Sequence, residues 1–444
     1  MGVGELPPQA KSSSAEPLAG DAVPVGSISG WGRHVSGGPA TTRLDRTRRT
    51  FAHPRIVVSH AVPPLTRAEA RGTTPLFARF GIEPNIRAQG TAEIRARCLV
   101  RLMREVGKEC RIRSGIPWSR RLRAWSLGFR AVYAEIYGID RDSAPWFVPD
   151  FAYAHRCFRL CGFWSPIVGN KLVVSNALAA SGIPHPEVLG VVTSGRLVGL
   201  GERSAASQSQ MLERWTDGGR PAVFRPHWSG GGEGVFFVAR HDDAWTVNGH
   251  AATAGEVRSL VGTLDRYIVT AFVGQAEYAR RIFPRTANTI RVLTLIDEDG
   301  PFVASAVHRF GTSRSFPIDN FHQGRGGICA SVSTETGILG TALSFGPRHE
   351  RFELTAHPET GSRIEGTRVP GLERALEGVL AAARCFPEAT CVGWDLLITD
   401  GGFSVLEANA PPGIVVSQLH RPLLRTPRVA RYFATHGFRI PEGA

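Results

Sequence analysis

The stretch that most constrains this chain lies near its end, where residues 392–413 read VGWDLLITDGGFSVLEANAPPG. Two short apolar runs flank Asp400-Gly401-Gly402, the mark of a β-hairpin. A three-residue loop over 400–402 sets Thr399 opposite Phe403, Leu397 opposite Val405, Asp395 opposite Glu407 and Gly393 opposite Asn409. Side chains alternate with period two, so Asp395, Glu407 and Asn409 then share one face. Two carboxylates directly opposite each other repel. Either the face is a solvated polar edge, or a hard divalent cation sits between the strands, since Mg²⁺ favours carboxylate and amide oxygens. The rest of the chain has to decide.

With 444 residues there is room for two or three domains and a substantial core. The net charge of +13 suggests a nucleic-acid partner until it is located. Residues 1–165 hold 25 Lys+Arg against 13 Asp+Glu, whereas residues 166–444 hold 27 against 26. All the basic residues are arginine except Lys11, Lys108 and Lys171. A stretch such as TTRLDRTRRTFAHPR suits an acidic surface, RNA or a polyanionic polysaccharide. No stacking aromatics or helix-turn-helix accompany it, which disfavours nucleic acid. Seven cysteines without a C-x-x-C argue against a disulfide framework and a zinc site. Cys157 and Cys161, four apart, read as small core residues on one helix face. No apolar run reaches the length of a membrane span, and the N-terminus lacks a basic segment leading into an apolar one. A reducing cytoplasm is the expected compartment.

Residues 1–75 are rich in Pro, Gly, Ser and Arg without periodicity, which predicts a disordered tail. Across 76–165 apolar residues recur at helical spacing (Ile94, Cys98, Leu102, Val106, then Leu122, Trp125, Phe129, Val132), a basic helical region. GNKLVVSNALAASGIPHP predicts a helix stopped by Gly182 and Pro184. AVFRP, GVFFVAR, RYIVTAFV, TIRVLTLI and PFVASAVHRF predict strands, and VPGLERALEGVLAAARCF a helix before the hairpin. Strands and helices mixed with many hairpins point to α+β lobes rather than an alternating parallel sheet.

Four further stretches carry candidate chemistry. In FRPHWSGGGEGVFFV, Gly230, Gly231, Gly232 and Gly234 lie between two strands. Their backbone N–H groups could cradle a phosphate, or the loop could be only a turn. It is not a P-loop, because no Gly-Lys-Ser/Thr follows and a strand comes next. In TANTIRVLTLIDEDG, Thr289, Arg291, Leu293 and Leu295 share a face. An inward arginine needs an anion there, either a phosphate or an internal Asp or Glu. Lys171 opens a helix, as a phosphate donor or as an exposed first-turn lysine. DNFHQGRGGI puts Asn320, His322 and Gln323 on a glycine-rich loop, which closes over substrate or is a long polar turn. No Ser-His-Asp or Cys-His arrangement emerges.

Taken in order, these pieces resemble the ATP-grasp superfamily. More narrowly, NTIRVLTL, NFHQGRGGI, TETGILG and GWDLLITDGGFSVLEAN resemble the sugar-transfer-associated ATP-grasp family, related to α-L-glutamate ligase-like proteins, over roughly residues 150–420. The resemblance implies an α+β ATP-grasp fold with two α+β lobes clasping a nucleotide, preceded by the basic helical region. Residues 166–275 would form a nucleotide-binding lobe and 276–425 a metal and catalytic lobe. Lys171 and Arg225 would contact ATP phosphates under the Gly230–Gly234 loop, and the backbone of Ala271, Phe272 and Val273 would read adenine. Arg291 would be catalytic, on the transferred phosphate. Asp395, Glu407 and Asn409 would hold Mg²⁺ or Mn²⁺, with Glu407 bridging two ions, and Asn320, His322 and Gln323 would meet the substrate.

The implied activity is a Mg-ATP-dependent carboxylate–amine ligase working through an acyl phosphate, in cell-surface polysaccharide synthesis. Its substrate would be a small-molecule or sugar-linked carboxylate. The alternatives are a small-molecule kinase and a non-catalytic nucleotide-binding or scaffold protein. Two departures bear on them: Arg225 stands where the family usually has Lys, and Thr270-Ala271 where it usually has a polar or acidic hinge residue.

Overall fold

The computed structural model describes residues 91–111, 115–200, 207–228, 232–321 and 326–442. The expected tail at 1–75, and Gly230, Gly231, His322 and Gln323, lie outside them.

The chain enters through helices α1 (Thr91–Arg111), α2 (Trp118–Ser126) and α3 (Ala131–Tyr137). The face expected to run from Leu122 to Val132 is broken. Gly128 has φ 87°, and Phe129 N–H donates back to Ala124 O at 2.9 Å, so α2 ends there in a left-handed turn. Phe129 and Val132 are therefore buried around α3, while Leu122 is exposed on α2. Val106, expected on the same face as the buried Cys98, is exposed on α1. Helices α4 (Asp150–Cys161) and α5 (Trp164–Val168) follow. Cys157 and Cys161 of α4 are buried in one core, as expected.

Helix α6 (Lys171–Ala180) is capped by Asn170, whose side chain accepts from Leu172 and Val173 N–H. It ends as expected at Gly182, with Ile183 N–H bonded to Leu178 O. The first lobe contains β1 (Val188–Thr193), β2 (Arg196–Gly199), α7 (Gln208–Trp215), β3 (Ala222–Pro226), β4 (Phe236–His241), β5 (Ala244–Val247), β6 (His250–Ala252), α8 (Ala254–Gly262) and β7 (Tyr267–Ala271). Its sheet runs β2-β1-β7-β3-β4-β5-β6, antiparallel throughout. Leu212 and Trp215 of α7 and Val257 and Val261 of α8 pack on Val192, Phe224, Val238 and Val269.

The second lobe contains α9 (Glu277–Ile282), β8 (Ile290–Asp297), β9 (Gly300–Phe310), β10 (Ile328–Val332), β11 (Leu339–Phe345), β12 (Arg351–Leu354), α10 (Leu372–Arg384), β13 (Cys391–Thr399), β14 (Gly402–Asn409) and α11 (Pro427–Thr435). The sheet order is β12-β11-β10-β9-β8-β13-β14, again antiparallel. Both faces are covered. Val392, Trp394, Leu396 and Ile398 of β13 meet Ala375, Val379 and Ala382 of α10. On the opposite face, Leu293 and Leu295 of β8 share a core with Cys157 and Leu160 of α4 and Val429 and Phe433 of α11. The α+β class and the two-lobe architecture expected from the sequence are both present. No helix among the described residues is long and apolar enough to cross a membrane.

The hairpin itself departs from the expected register. Its loop is two residues, Asp400 and Gly401, so Thr399 pairs with Gly402 and Leu397 with Ser404. A β-bulge at Leu406 then absorbs one residue and restores Asp395 opposite Glu407 and Gly393 opposite Asn409. The extra residue also sorts the faces. In an unbroken β14, Phe403, Val405 and Glu407 would all point the same way. With the bulge, Phe403, Val405 and Ala408 join the apolar core on the α10 side, and Glu407 and Asn409 turn to the other face with Asp395.

Candidate active site

The two sheets enclose a cavity of about 200 Å³. The first lobe lines it with Val223, Arg225, Phe237 and the hinge residues Thr270, Ala271, Phe272 and Val273. The second contributes Thr289, Arg291, Arg309, Asp319, Asn320, Asp395, Leu406 and Glu407. Val223, Val235, Phe237 and Phe272 add apolar lining to these polar residues.

Asp395 does not stand alone against Glu407. Arg291, its direct neighbour on β8, donates from Nε to Oδ1 at 2.6 Å and from Nη2 to Oδ2 at 3.1 Å. Arg309 Nη2 also lies 3.1 Å from Oδ1. Burial opposes the charged form of Asp395, but the two guanidinium groups outweigh it and hold the carboxyl well below its usual range. The inward arginine of β8 thus has an internal aspartate as its partner. Asp319 pairs with Arg309 at 3.5 Å and accepts from both the N–H and the hydroxyl of Thr289. Burial holds the Asp319 carboxyl above its ordinary value, and Arg309 and Thr289 offset only part of that rise.

Glu407 faces the other cations. Lys171 Nζ is 3.5 Å from its Oε2, and Asn409 Nδ2 donates to its Oε1 at 3.1 Å. Lys171 is buried, not the exposed first-turn residue that was the alternative. Arg225, also buried, donates from Nη1 to the carbonyl of the bulged Leu406 at 2.9 Å, linking the lobes across the cleft. Its Nε is buried without a hydrogen-bond partner. Burial lowers its pKa, while nearby Glu407 raises it. Four cations (Lys171, Arg225, Arg291, Arg309) thus meet three carboxylates (Asp319, Asp395, Glu407).

A triphosphate suits this excess of positive charge and the unpartnered Nε of Arg225. A divalent metal suits the hard oxygens of Glu407 and Asn409, while both oxygens of Asp395 are engaged by arginine. Among the described residues there is no cluster of three or more His, Cys, Asp or Glu that could hold a metal ion.

Gly232 and Gly234 have φ of 75° each, and Gly232 abuts Ile318 so closely that a β-carbon would clash with it. The described end of the glycine-rich loop therefore reaches the second lobe. At the hinge, Ala271 and Phe272 N–H already donate to Glu187 O and Pro221 O. Those two N–H groups are therefore not available to a ligand at the hinge. Asn320 lines the cavity beside Asp319.

Arg309 and Asp319 were not singled out from sequence. The only signals were an arginine in the apolar run SAVHRF and an aspartate just before Asn320. Asn288, first residue of the NTIR motif, is structural. Its amide donates to Ala279 O and Phe283 O, and its carbonyl oxygen accepts from Thr286 Oγ1 and Gly311 N–H, all buried. Asn288→Ala should lower stability by about 3 kcal/mol, because buried polar partners are left unpaired. A urea titration would show this as a lower midpoint with an unchanged slope; an unmoved midpoint contradicts it.

Two antiparallel α+β lobes closing on a cleft of paired carboxylates, guanidinium groups and a buried lysine define an ATP-grasp protein. The chain belongs to the sugar-transfer-associated ATP-grasp family, which it matches over residues 161–428. No curated protein matches its sequence. Among solved structures it is similar to D-alanine–D-alanine ligase from Bacillus anthracis, at 15% identity and a TM-score of 0.33, covering 61% of this chain and 70% of that one. It is also similar to VanG D-Ala:D-Ser ligase from Enterococcus faecalis (12% identity, TM-score 0.34, 61% and 62% covered). A third is L-amino acid ligase from Bacillus licheniformis (14% identity, TM-score 0.30, 59% and 42% covered). The match thus spans under half the length of that last enzyme. These are distant likenesses.

Proposed function

We propose that this chain is a Mg-ATP-dependent ligase that activates a carboxylate as an acyl phosphate and passes the acyl group to an amine or other nucleophile. The observation that carries the reading is the Asp395–Glu407 pair, set by the hairpin register in a cleft lined by three arginines, with Lys171 beside Glu407. In this reading Lys171 and Arg225 bind ATP phosphates beneath the Gly230–Gly234 loop. The carbonyls at Ala271–Val273 and the apolar wall hold adenine, and Arg291 meets the transferred phosphate. Glu407 and Asn409 hold the metal, joined by Asp395 if its arginine partly releases it. Bound Mg²⁺ would neutralise charge on the phosphate oxygens.

The reaction balances as two displacements. A carboxylate oxygen attacks the γ-phosphorus and the bond to ADP breaks, releasing ADP. The nucleophile's nitrogen then attacks the acyl carbon, the bond to the phosphate oxygen breaks, and inorganic phosphate leaves while the amine loses a proton to solvent. Arg291 and Arg309 stabilise charge that grows on the transferred group. A role in cell-surface polysaccharide synthesis is suggested by the family name alone.

The test is ADP release from ATP by the purified chain with mixed carboxylates and amines. Free phosphate in step with ADP supports ligation, whereas a stable phosphorylated product points to a kinase. ATP binding without ADP release in any mixture points to a non-catalytic nucleotide-binding protein. Arg225→Ala should weaken ATP binding about tenfold to a hundredfold, the range for a buried charge-assisted hydrogen bond. Calorimetric titration reads this directly; unchanged affinity removes Arg225 from the phosphate site.

A further inference from the structure

The helical layer precedes the segment that matches the family, yet it reaches the site. Tyr133 of α3 walls a second cavity, about 240 Å³, with Phe321, Gly413, Val415 and Val416. Arg291, Arg309 and Asn320 border both this cavity and the nucleotide cleft, so the two spaces meet at the arginine pair. Arg291 spends Nε and Nη2 on Asp395, and Arg309 spends Nε and Nη2 on Thr289, Asp319 and Asp395. Nη1 of each arginine makes no hydrogen bond to a described residue. The second cavity therefore combines a basic wall, contributed by Arg291 and Arg309, with apolar and aromatic walls. Among the described residues, no Asp or Glu lines it.

We infer that this cavity holds the acid substrate, and that the acid is a small monocarboxylate with an uncharged body rather than an α-amino acid. The inference rests on the ligase reading and adds the substrate class and its specificity residue. A carboxylate matches guanidinium donors in geometry and charge. Bound at Arg291 and Arg309, it sits at the arginines that border the nucleotide cleft. An α-ammonium group would meet no carboxylate among the described lining residues and would be desolvated without that compensation. The volume is below the roughly 300–1,000 Å³ of sites for drug-sized ligands, which suits a small acid. Tyr133, contributed from outside the family segment, faces the body of the acid and limits its size.

Isosteric pairs test this: lactate against alanine, 2-hydroxyisocaproate against leucine, and phenyllactate against phenylalanine. Each is titrated into the full chain by calorimetry, with and without a non-hydrolysable ATP analogue. At least one hydroxy acid should bind about tenfold or more tightly than its amino-acid partner, reflecting the uncompensated ammonium. Gly413 offers a plug, because a β-carbon there meets nothing within 4 Å and the residue has no positive φ. Gly413→Leu should weaken acid binding about tenfold by filling the cavity, with analogue affinity unchanged within about twofold. Tyr133→Ala should shift preference toward the larger acids of the series.

The inference is overturned if no acid binds, if the amino acids bind better, or if Gly413→Leu binds acids as the wild type does. Loss is diagnosed separately for the two readings. Acid binding without analogue binding sinks the ligase proposal and leaves the acid cavity standing; analogue binding without acid binding does the reverse.

Discussion

Glu407→Ala is expected to abolish ATP turnover while leaving the fold in place. Glu407 is the carboxylate of the site whose side chain keeps solvent access, 21% against 8% for Asp395. Its protein contacts are light: a 3.5 Å approach to Lys171 and one bond from Asn409. Removing it deletes no core contact. On the proposed reading it does take away the main oxygen ligand of a divalent ion, because Asp395 is held by arginine. Loss of one such preorganised electrostatic group costs on the order of a hundredfold to a thousandfold in kcat. ADP release measures the rate, and a thermal melt measures the fold. Calorimetry of ATP with and without Mg²⁺ should show a metal dependence in the wild type that the variant lacks. A variant with full activity would refute the metal assignment.

The sequence made the Asp395–Glu407 pair legible because two like charges in alternating apolar strands need an explanation that the strands cannot supply. It did not reveal how the pair is positioned. The bulge at Leu406 marks FSVLEAN only by a change of phase, apolar at Phe403 and Val405 and then at Ala408, which a three-residue loop hides by pairing Asp395 with Glu407 without it. What selects the bulge is packing at a distance: Phe403 and Val405 must reach α10 while Glu407 points to the cleft, and Arg225 from the other lobe takes the carbonyl that the bulge exposes.

Arg291 was readable as an inward cation, but its partner was open between phosphate and carboxylate. The answer, Asp395, lies 104 residues away and becomes adjacent only when β13 inserts beside β8. Arg309 and Asp319 were missed for the same reason, because their partners belong to other strands and loops. The helical layer fared worst at Gly128. One glycine reversed the chain and split a face that periodicity alone read as continuous.

Asp395→Ala should behave differently from Glu407→Ala, losing stability as well as activity. The carboxylate is buried and is the shared counter-ion of two arginines, one of them directly opposite on β8. Removing one partner of a buried ion pair strands the other, at about 3–5 kcal/mol. For a domain of this size that corresponds to a fall in Tm of roughly 10 °C. Arg309 keeps Asp319 and Thr289, so Arg291 bears most of the loss. The double variant Arg291→Met/Asp395→Leu should therefore recover part of the stability of the single variant while remaining inactive.

The pH dependence has a definite sign. The Asp395 carboxyl is depressed below its ordinary value of 3.8 in the folded chain. Its contribution is present above that value and is lost as pH falls through the lower folded one. The stability gap between wild type and Asp395→Asn should thus be flat from about pH 8 to 5 and narrow only below about pH 4. Urea titrations across that range measure the gap. A variant that melts with the wild type would mean that Arg291 finds another anion, and that Asp395 is free to serve as a metal ligand after all.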